Sequence, residues 1–215
     1  MIVTLVSKMS NFSSLCRRLK SNLKARPTQS DELIRQAAVA LVLRRNFDEA
    51  ELLVIKRAVV ERDHWSGHLA LPGGRKDERD ADLQETAVRE TREEVGIDIS
   101  RGGEILGALD TIRPESPFAP RILVTPFVAI APSEYHVLSS SDETKPLTLN
   151  REVAEAFWVP VYWLRERGRS ELFRMAIEGG ERTWPAYGLS QGLIWGITER
   201  ILTSFLELIE PGVDA

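Results

Sequence analysis

Gly73-Gly74-Arg75-Lys76-Asp77-Glu78-Arg79-Asp80 runs into Arg89-Glu90-Thr91-Arg92-Glu93-Glu94-Val95-Gly96-Ile97 after a short apolar-polar segment. A glycine turn therefore precedes an amphipathic helix. Glu90, Glu93 and Glu94 stand at i, i+3 and i+4, so they share one helix face. Like charges at that spacing weaken an isolated helix by about 0.2–0.5 kcal/mol per pair. Arg89, four residues before Glu93, offsets part of that repulsion. Asp82 with Glu85 reads as a capping box at the helix start, and Gly96 suits the left-handed residue after its end. Leu83, Ala87, Val88 and Val95 supply the apolar face. An acidic helix face is most often a solvated stripe. The Leu71-Pro72-Gly73-Gly74 turn and the apolar segments around it favour a site instead. A hard divalent cation takes several oxygen ligands and commonly shares them with substrate phosphates.

Gly74, Arg89, Glu90, Glu93, Glu94, Gly96 and Ile97 together resemble the signature box of the Nudix hydrolase family. There are two departures. Asp80 fills the acidic position with one residue more than usual between it and Arg89, and Thr91 stands where an apolar residue is usual. The same one-residue insertion is found in the coenzyme A pyrophosphatase-like group of that family. The stretch from Leu52 through Arg57 and Arg62 to Gly73-Gly74 resembles the upstream segment of that group, with one extra residue between Arg62 and Gly67 and with Leu71 in place of phenylalanine. Ile194-Trp195-Gly196-Ile197-Thr198 resembles it again near the end of the chain.

The resemblance implies an α/β fold of the Nudix type, an α/β/α sandwich with a mixed β-sheet between helices. It implies metal-dependent hydrolysis of a diphosphate bond in a nucleoside diphosphate linked to another moiety, with Mg2+ or Mn2+ as cofactor. Coenzyme A or acyl-CoA is the favoured substrate. NADH, ADP-ribose, a nucleotide sugar, an oxidised nucleoside triphosphate or a non-catalytic nucleotide-binding sensor are the alternatives. The expected metal ligands are Glu90, Glu93, Glu94 and a backbone carbonyl at Gly74. The expected catalytic group is Glu90, Glu93 and Arg89, with Glu152 or Glu155 as a possible base outside the box. Arg57, Arg62 and Gly73 are expected to contact substrate. Asp77 and Asp80 are expected to pair with Arg89 or cap the loop. His64 and His68 lie in a proline- and glycine-rich loop, where they do not have the helical spacing of a zinc pair. Trp65, Phe118 and Trp184 either stack on a base or pack in the core.

Composition agrees with a soluble enzyme. The 215 residues are 43% hydrophobic and 28% charged, with a net charge of -4. That charge gives no footprint for nucleic acid. Cys16 is the single cysteine, so no disulfide forms within the chain. No apolar run is long enough to span a bilayer, and Met1–Val6 is too short for a signal-peptide core. A cytoplasmic location is expected, without excluding an organelle. No membrane partner is expected, and a homodimer is possible.

The order of elements suggests an N-terminal helical extension over 1–35 and a Nudix domain over 36–215. Ser13 is expected to cap a basic amphipathic helix reaching Lys24, whose Leu15, Leu19 and Leu23 pack on their own domain rather than on a membrane. Pro27 opens a linker. Strands are expected over 37–43, 51–56, 105–108, 121–130 and 155–161, with a short helix over 162–167. Loops are expected over 113–120 and 134–150, the second of them mobile. Leu189 to Ile209 reads as one long terminal helix.

Overall fold

The computed structural model describes residues 11–25, 34–61, 65–114, 121–167, 170–177 and 180–210. The sequence expectations at Pro27, Arg62, His64 and Phe118 lie outside these residues.

The centre is a seven-stranded mixed sheet. Strands β1 (Arg35–Asn46), β2 (Glu49–Arg57), β3 (Leu69–Ala70), β4 (Gly73–Arg75), β5 (Glu104–Ala108), β6 (Ile122–Ile130) and β7 (Val153–Pro160) form it. The main path runs β3-β2-β1-β6-β5, with β4 on β1 and β7 on β2. β1 and β6 are parallel, from Arg35 opposite Ile122 to Leu43 opposite Ile130. The remaining pairs are antiparallel.

β1 is apolar throughout its centre because both of its faces are covered. Ala37, Leu41 and Leu43 face one hydrophobic cluster. Ala38, Ala40 and Val42 face the other. Helix α2 (Leu83–Val95) covers the second face through Leu83, Ala87 and Val95. Helices α1 (Phe12–Asn22), α3 (Val161–Arg167) and α4 (Gly196–Ile209) contribute to the first. The mixed α/β sandwich is thus the observed architecture.

Three expectations change in detail. α1 starts at Phe12 because the Asn11 side chain, not Ser13, accepts the Ser14 N–H at 2.9 Å. Its end comes before Lys24, which instead bridges Ala108 of β5. The segment 134–150 has little regular structure but is tied to α2: Thr148 N–H donates to Val95 O at 3.0 Å, and Asn150 N–H to Glu94 O at 3.2 Å. The largest change is near the C-terminus. Residues 189–195 are not helical. They belong to a second, three-stranded antiparallel sheet of β8 (Glu171–Ile177), β9 (Gly180–Leu189) and β10 (Gly192–Trp195). Ser190 and Gln191 form a two-residue turn between Leu189 and Gly192, which are register partners. Gly196, at φ 67°, then turns the chain into α4.

Among the described residues no helix is long and apolar enough to cross a membrane. The α1 leucines are used internally: Leu15 and Leu19 are buried in the core, with Leu23 packed against it. Leu19→Ala should therefore lower the unfolding free energy by about 3 kcal/mol, the usual loss for a fully enclosed leucine. Chemical denaturation would show this, and unchanged stability would mean that α1 is not part of the folding unit.

Candidate active site at the glycine pair

β4 lies against β1 with Gly74 opposite Ala38 and Gly73 opposite Val39. A Cβ on Gly73 would stand 2.4 Å from the Ala38 carbonyl oxygen. On Gly74 it would stand 2.3 Å from Glu90 Oε1. Only glycine at 73 lets β4 approach the β1 backbone this closely, whereas a side chain at 74 would displace the Glu90 carboxylate. The reward for the approach is polar. The Gly73 N–H donates to Glu94 Oε2 at 2.9 Å.

α2 presents its acids in three different environments. Glu94 is buried, and burial pushes its carboxyl up to about 8, against the lowering effect of the Gly73 N–H. Glu90 is also raised, first by burial. Glu93 is exposed at the rim. Thr91, in the position usually apolar, is fully buried because its hydroxyl donates to the Ala87 carbonyl at 2.7 Å. The departure therefore leaves no unsatisfied polar group in the core.

Arg89 binds this surface together. Its Nε and Nη2 each lie 2.9 Å from an Asp80 carboxylate oxygen. Its Nη1 reaches Glu90 Oε1 at 2.9 Å and Glu93 Oε2 at 3.2 Å. Nη2 also donates to the Arg75 carbonyl. Asp80 in turn accepts from the Asp77 N–H and the Thr86 hydroxyl, each at 2.9 Å. The Arg89 guanidinium holds the Asp80 carboxyl well below the usual carboxylate range. Asp77 caps the loop, accepting from the Arg79 N–H and Nε. Both aspartates are structural. Asp82 caps α2 by accepting the Glu85 N–H at 2.9 Å, while Glu85 reaches back to the Ala81 N–H, one residue earlier than a standard capping box.

The two acids outside this helix part company. Glu155 sits on β7 beside its β2 register partner Lys56 and pairs with it at 3.1 Å. Glu152 precedes β7, and its charge is felt by both Glu90 and Glu94, raising each. Arg57, at the end of β2, has the opposite effect on Glu94. Glu152 and Arg57 thus act electrostatically on the α2 acids, whereas Glu155 is engaged with Lys56. Among the described residues, no three His, Cys, Asp or Glu side chains already converge on one metal point. Glu90 and Glu93 are instead drawn to Arg89, and Glu94 to the Gly73 amide. The donor set nonetheless fits a hard cation: it is all carboxylate oxygen, and two of the acids are buried enough to disfavour their charged forms.

Gly73 and Gly74 also line a cavity of about 630 Å3 on the opposite side of the glycine pair. Arg57, Arg75, Trp65, His68, Trp184 and Trp195 are among its walls. His68 is an aromatic-cluster residue, edge-on to Phe173 and Trp195 with centroids 5.9 and 5.1 Å away. The cavity's far wall, Trp195 to Ile201, includes part of the Ile194–Thr198 segment singled out in the sequence, but it starts on β10 rather than inside the expected helix. The two-residue turn at Ser190-Gln191 before Gly192 was the available signal.

Because Glu94 binds its proton more tightly when folded, its contribution to stability is present at low pH and lost as pH rises from about 4.5 towards about 8. In EDTA, raising pH from 6 to 8.5 should lower the melting temperature of the parent protein more than that of Glu94→Gln, by roughly 3–5 °C. Equal slopes in a thermal scan would mean that Glu94 does not carry this proton.

Comparisons with known proteins identify the family and the fold. The NUDIX domain family matches residues 34–176. A protein from Enterobacter sp. named "Uncharacterized Nudix hydrolase NudL" is 33% identical over 180 residues, covering 82% of this chain and 85% of that protein. Its namesake in Cronobacter sakazakii is 34% identical over 170 residues, covering 78% and 79%. The fold is shared with a MutT/nudix family protein from Enterococcus faecalis, at TM-score 0.53 and 19% identity over 86% of this chain and 65% of that one. It is shared also with a NUDIX hydrolase from Alicyclobacillus acidocaldarius, at TM-score 0.50 and 20% identity over 86% and 96%. With a domain match over residues 34–176 and relatives a third identical along about four-fifths of its length, this chain belongs to the Nudix hydrolase family.

Proposed function

We propose that this Nudix hydrolase cleaves the diphosphate of coenzyme A or an acyl-CoA, using Mg2+ or Mn2+ held by Glu90, Glu93, Glu94 and the Gly74 carbonyl. The observation that carries the reading is the glycine pair, which has Glu90 and Glu94 on one side and the cavity on the other. The coenzyme A preference is supported by where its sequence resemblances fall. Arg57, Trp65 to Gly74 in part, and Trp195 to Thr198 all line that one cavity.

A bound divalent cation supplies charge neutralisation and acidifies a water molecule. The chain's own residues do the rest. Arg89, fixed by Asp80, aligns Glu90 and Glu93 and so acts as a positioning residue. Glu152 accepts the proton of the attacking water; the support for this assignment is that its charge acts on both Glu90 and Glu94, whereas Glu155 is paired with Lys56. Arg57 faces the developing negative charge on the phosphoryl oxygens, with Arg62 as a second contact. Gly73 offers close backbone approach. Water adds to one phosphorus, the bridging oxygen leaves with the other, and two phosphomonoesters result. For coenzyme A these are 4′-phosphopantetheine and 3′,5′-ADP.

The test is a substrate panel of coenzyme A, acyl-CoA, NADH, ADP-ribose, nucleotide sugars and nucleoside triphosphates, with products read by mass spectrometry. The two named phosphomonoesters should appear with Mg2+ or Mn2+ and vanish in EDTA. Cleavage of another member would replace the substrate, and ligand-induced thermal stabilisation without any product would favour the sensor reading. Glu93→Gln should lower turnover by on the order of 10²-fold or more. Near-normal turnover of that folded variant would remove the metal assignment. Glu152→Gln should lower kcat by at least about tenfold, whereas Glu155→Gln should stay within about twofold. The reverse order in steady-state kinetics would reassign the base to Glu155.

A further inference from the structure

The last carbonyls of an α-helix have no partner within it. At the end of α2 two of them are met by a distant segment. Asn150 N–H donates to the Glu94 carbonyl at 3.2 Å, and Thr148 N–H to the Val95 carbonyl at 3.0 Å. The fit is close. A Cβ on Gly96 would stand 2.9 Å from the Thr148 Cβ. Leu147 packs against the core cluster that α2 covers. Residues 147–150 therefore strap the end of the helix that bears Glu90, Glu93 and Glu94.

Two residues further on, both backbone polar groups of Glu152 are held. Its N–H donates to Asn150 Oδ1 at 2.8 Å. Its carbonyl accepts the Ala58 N–H at 2.8 Å, just beyond β2. The Val153 N–H donates to the Asn150 carbonyl at 3.3 Å, so Asn150 closes this turn with side chain and backbone at once. The pairing that follows is irregular. Lys56 stands opposite Glu155, but Arg57 stands opposite Val153, which leaves one extra residue on β7. In a regular strand residues two apart share a face. The bulge re-aims them: Val153 enters the core cluster covered by α2, while Glu155 turns to Lys56.

We infer that Asn150 is a positioning residue for the hydrolysis, holding the backbone of Glu152 in fixed relation to the acid-bearing end of α2. This rests on the proposed chemistry, in which Glu152 takes the proton of the attacking water, and it names the residue that locates that base. Asn150 grips the Glu94 carbonyl with its own N–H and the Glu152 N–H with its side chain. The base and the metal-facing helix therefore share one joint. Asparagine suits such a joint, because its amide oxygen reaches the N–H two residues ahead while its backbone N–H points elsewhere. A misplacement of about 1 Å can cost as much as 10²-fold in rate, so the joint bears on turnover. A turn that only stabilised β7 would act equally whether or not position 152 carried a base.

The experiment is a double-mutant cycle between Asn150→Ala and Glu152→Gln. It is read as kcat and KM with Mg2+ on coenzyme A, or on whichever panel member the parent cleaves. Asn150→Ala should lower kcat by roughly fivefold or more, with KM within about twofold, because the bonds it loses go to backbone. Asn150→Asp should recover most of that loss, since its carboxylate oxygen accepts the same N–H. In the Glu152→Gln background, Asn150→Ala should cost less than about 1.5-fold, because no base remains to be misplaced. If Asn150→Ala fails to fold, Asn150→Ser takes its place in the cycle, its hydroxyl making the same turn more weakly. An unchanged kcat in the folded variant, no recovery by Asn150→Asp, or equal losses in both backgrounds would overturn the role and leave the base assignment standing. Full turnover of Glu152→Gln would overturn the base assignment, and the role with it. A parent that cleaves no member of the panel would overturn both together with the hydrolytic reading.

Discussion

Glu94 is a carboxyl group buried against a sheet, and its contact with the Gly73 amide organises the rest of this molecule. Burying such a group is costly unless a donor or cation meets it. The backbone N–H reaches it where β4 lies close against β1, an approach that a side chain on Gly73 would block. With a Cβ on either, β4 would collide with β1 or with Glu90. The close approach of helix to glycine turn is thus a constraint on three elements at once, β1, β4 and α2.

The helix and the loop before it separate their charges by environment. Asp80 is surrounded by donors and stays ionised, which makes it a fixed support for Arg89. Glu94 has burial and a neighbouring acid against it, and holds its proton far above the ordinary range. Acids of similar intrinsic strength therefore take opposite parts: one stabilises the fold at neutral pH, while the other is held in tension in the absence of a cation. A site that gathers negative charge in this way is suited to phosphate chemistry, because a cation relieves the acids and the phosphates together.

The sheet places the acids of α2 and the cavity on different sides of the glycine pair. α2 and its carboxylates cover one face, with Ala38, Ala40 and Val42 beneath. The cavity opens on the other, over Ala37 and Val39. Period-two alternation in β1 makes this possible, since successive side chains point to opposite faces. The second sheet and α4 then close the cavity with residues beyond the matched domain.

The local signals in the chain were sufficient for much of this. The i, i+3, i+4 acids, the Asp82 cap, Gly96 at φ 77° and the apolar runs of β1, β2 and β6 depend on near neighbours and regular periods, so they are legible in one dimension. Asp80 was legible only as an acid near Arg89, because its bidentate geometry needs the intervening loop to fold back. Glu152 and Glu155 looked alike in sequence. Strand pairing set them apart by putting Lys56 beside Glu155 and leaving Glu152 at the entry to β7. Short apolar runs suit either period, so beyond the Ser190-Gln191 turn it is pairing with Ala186–Leu189 that makes Gly192–Trp195 a strand rather than part of the expected helix. The sequence by itself determined the acid-bearing helix and its glycine turn, whose determinants are local. Tertiary structure alone decided which acids meet and what encloses the cavity, since those depend on contacts between residues on the order of 20–130 positions apart.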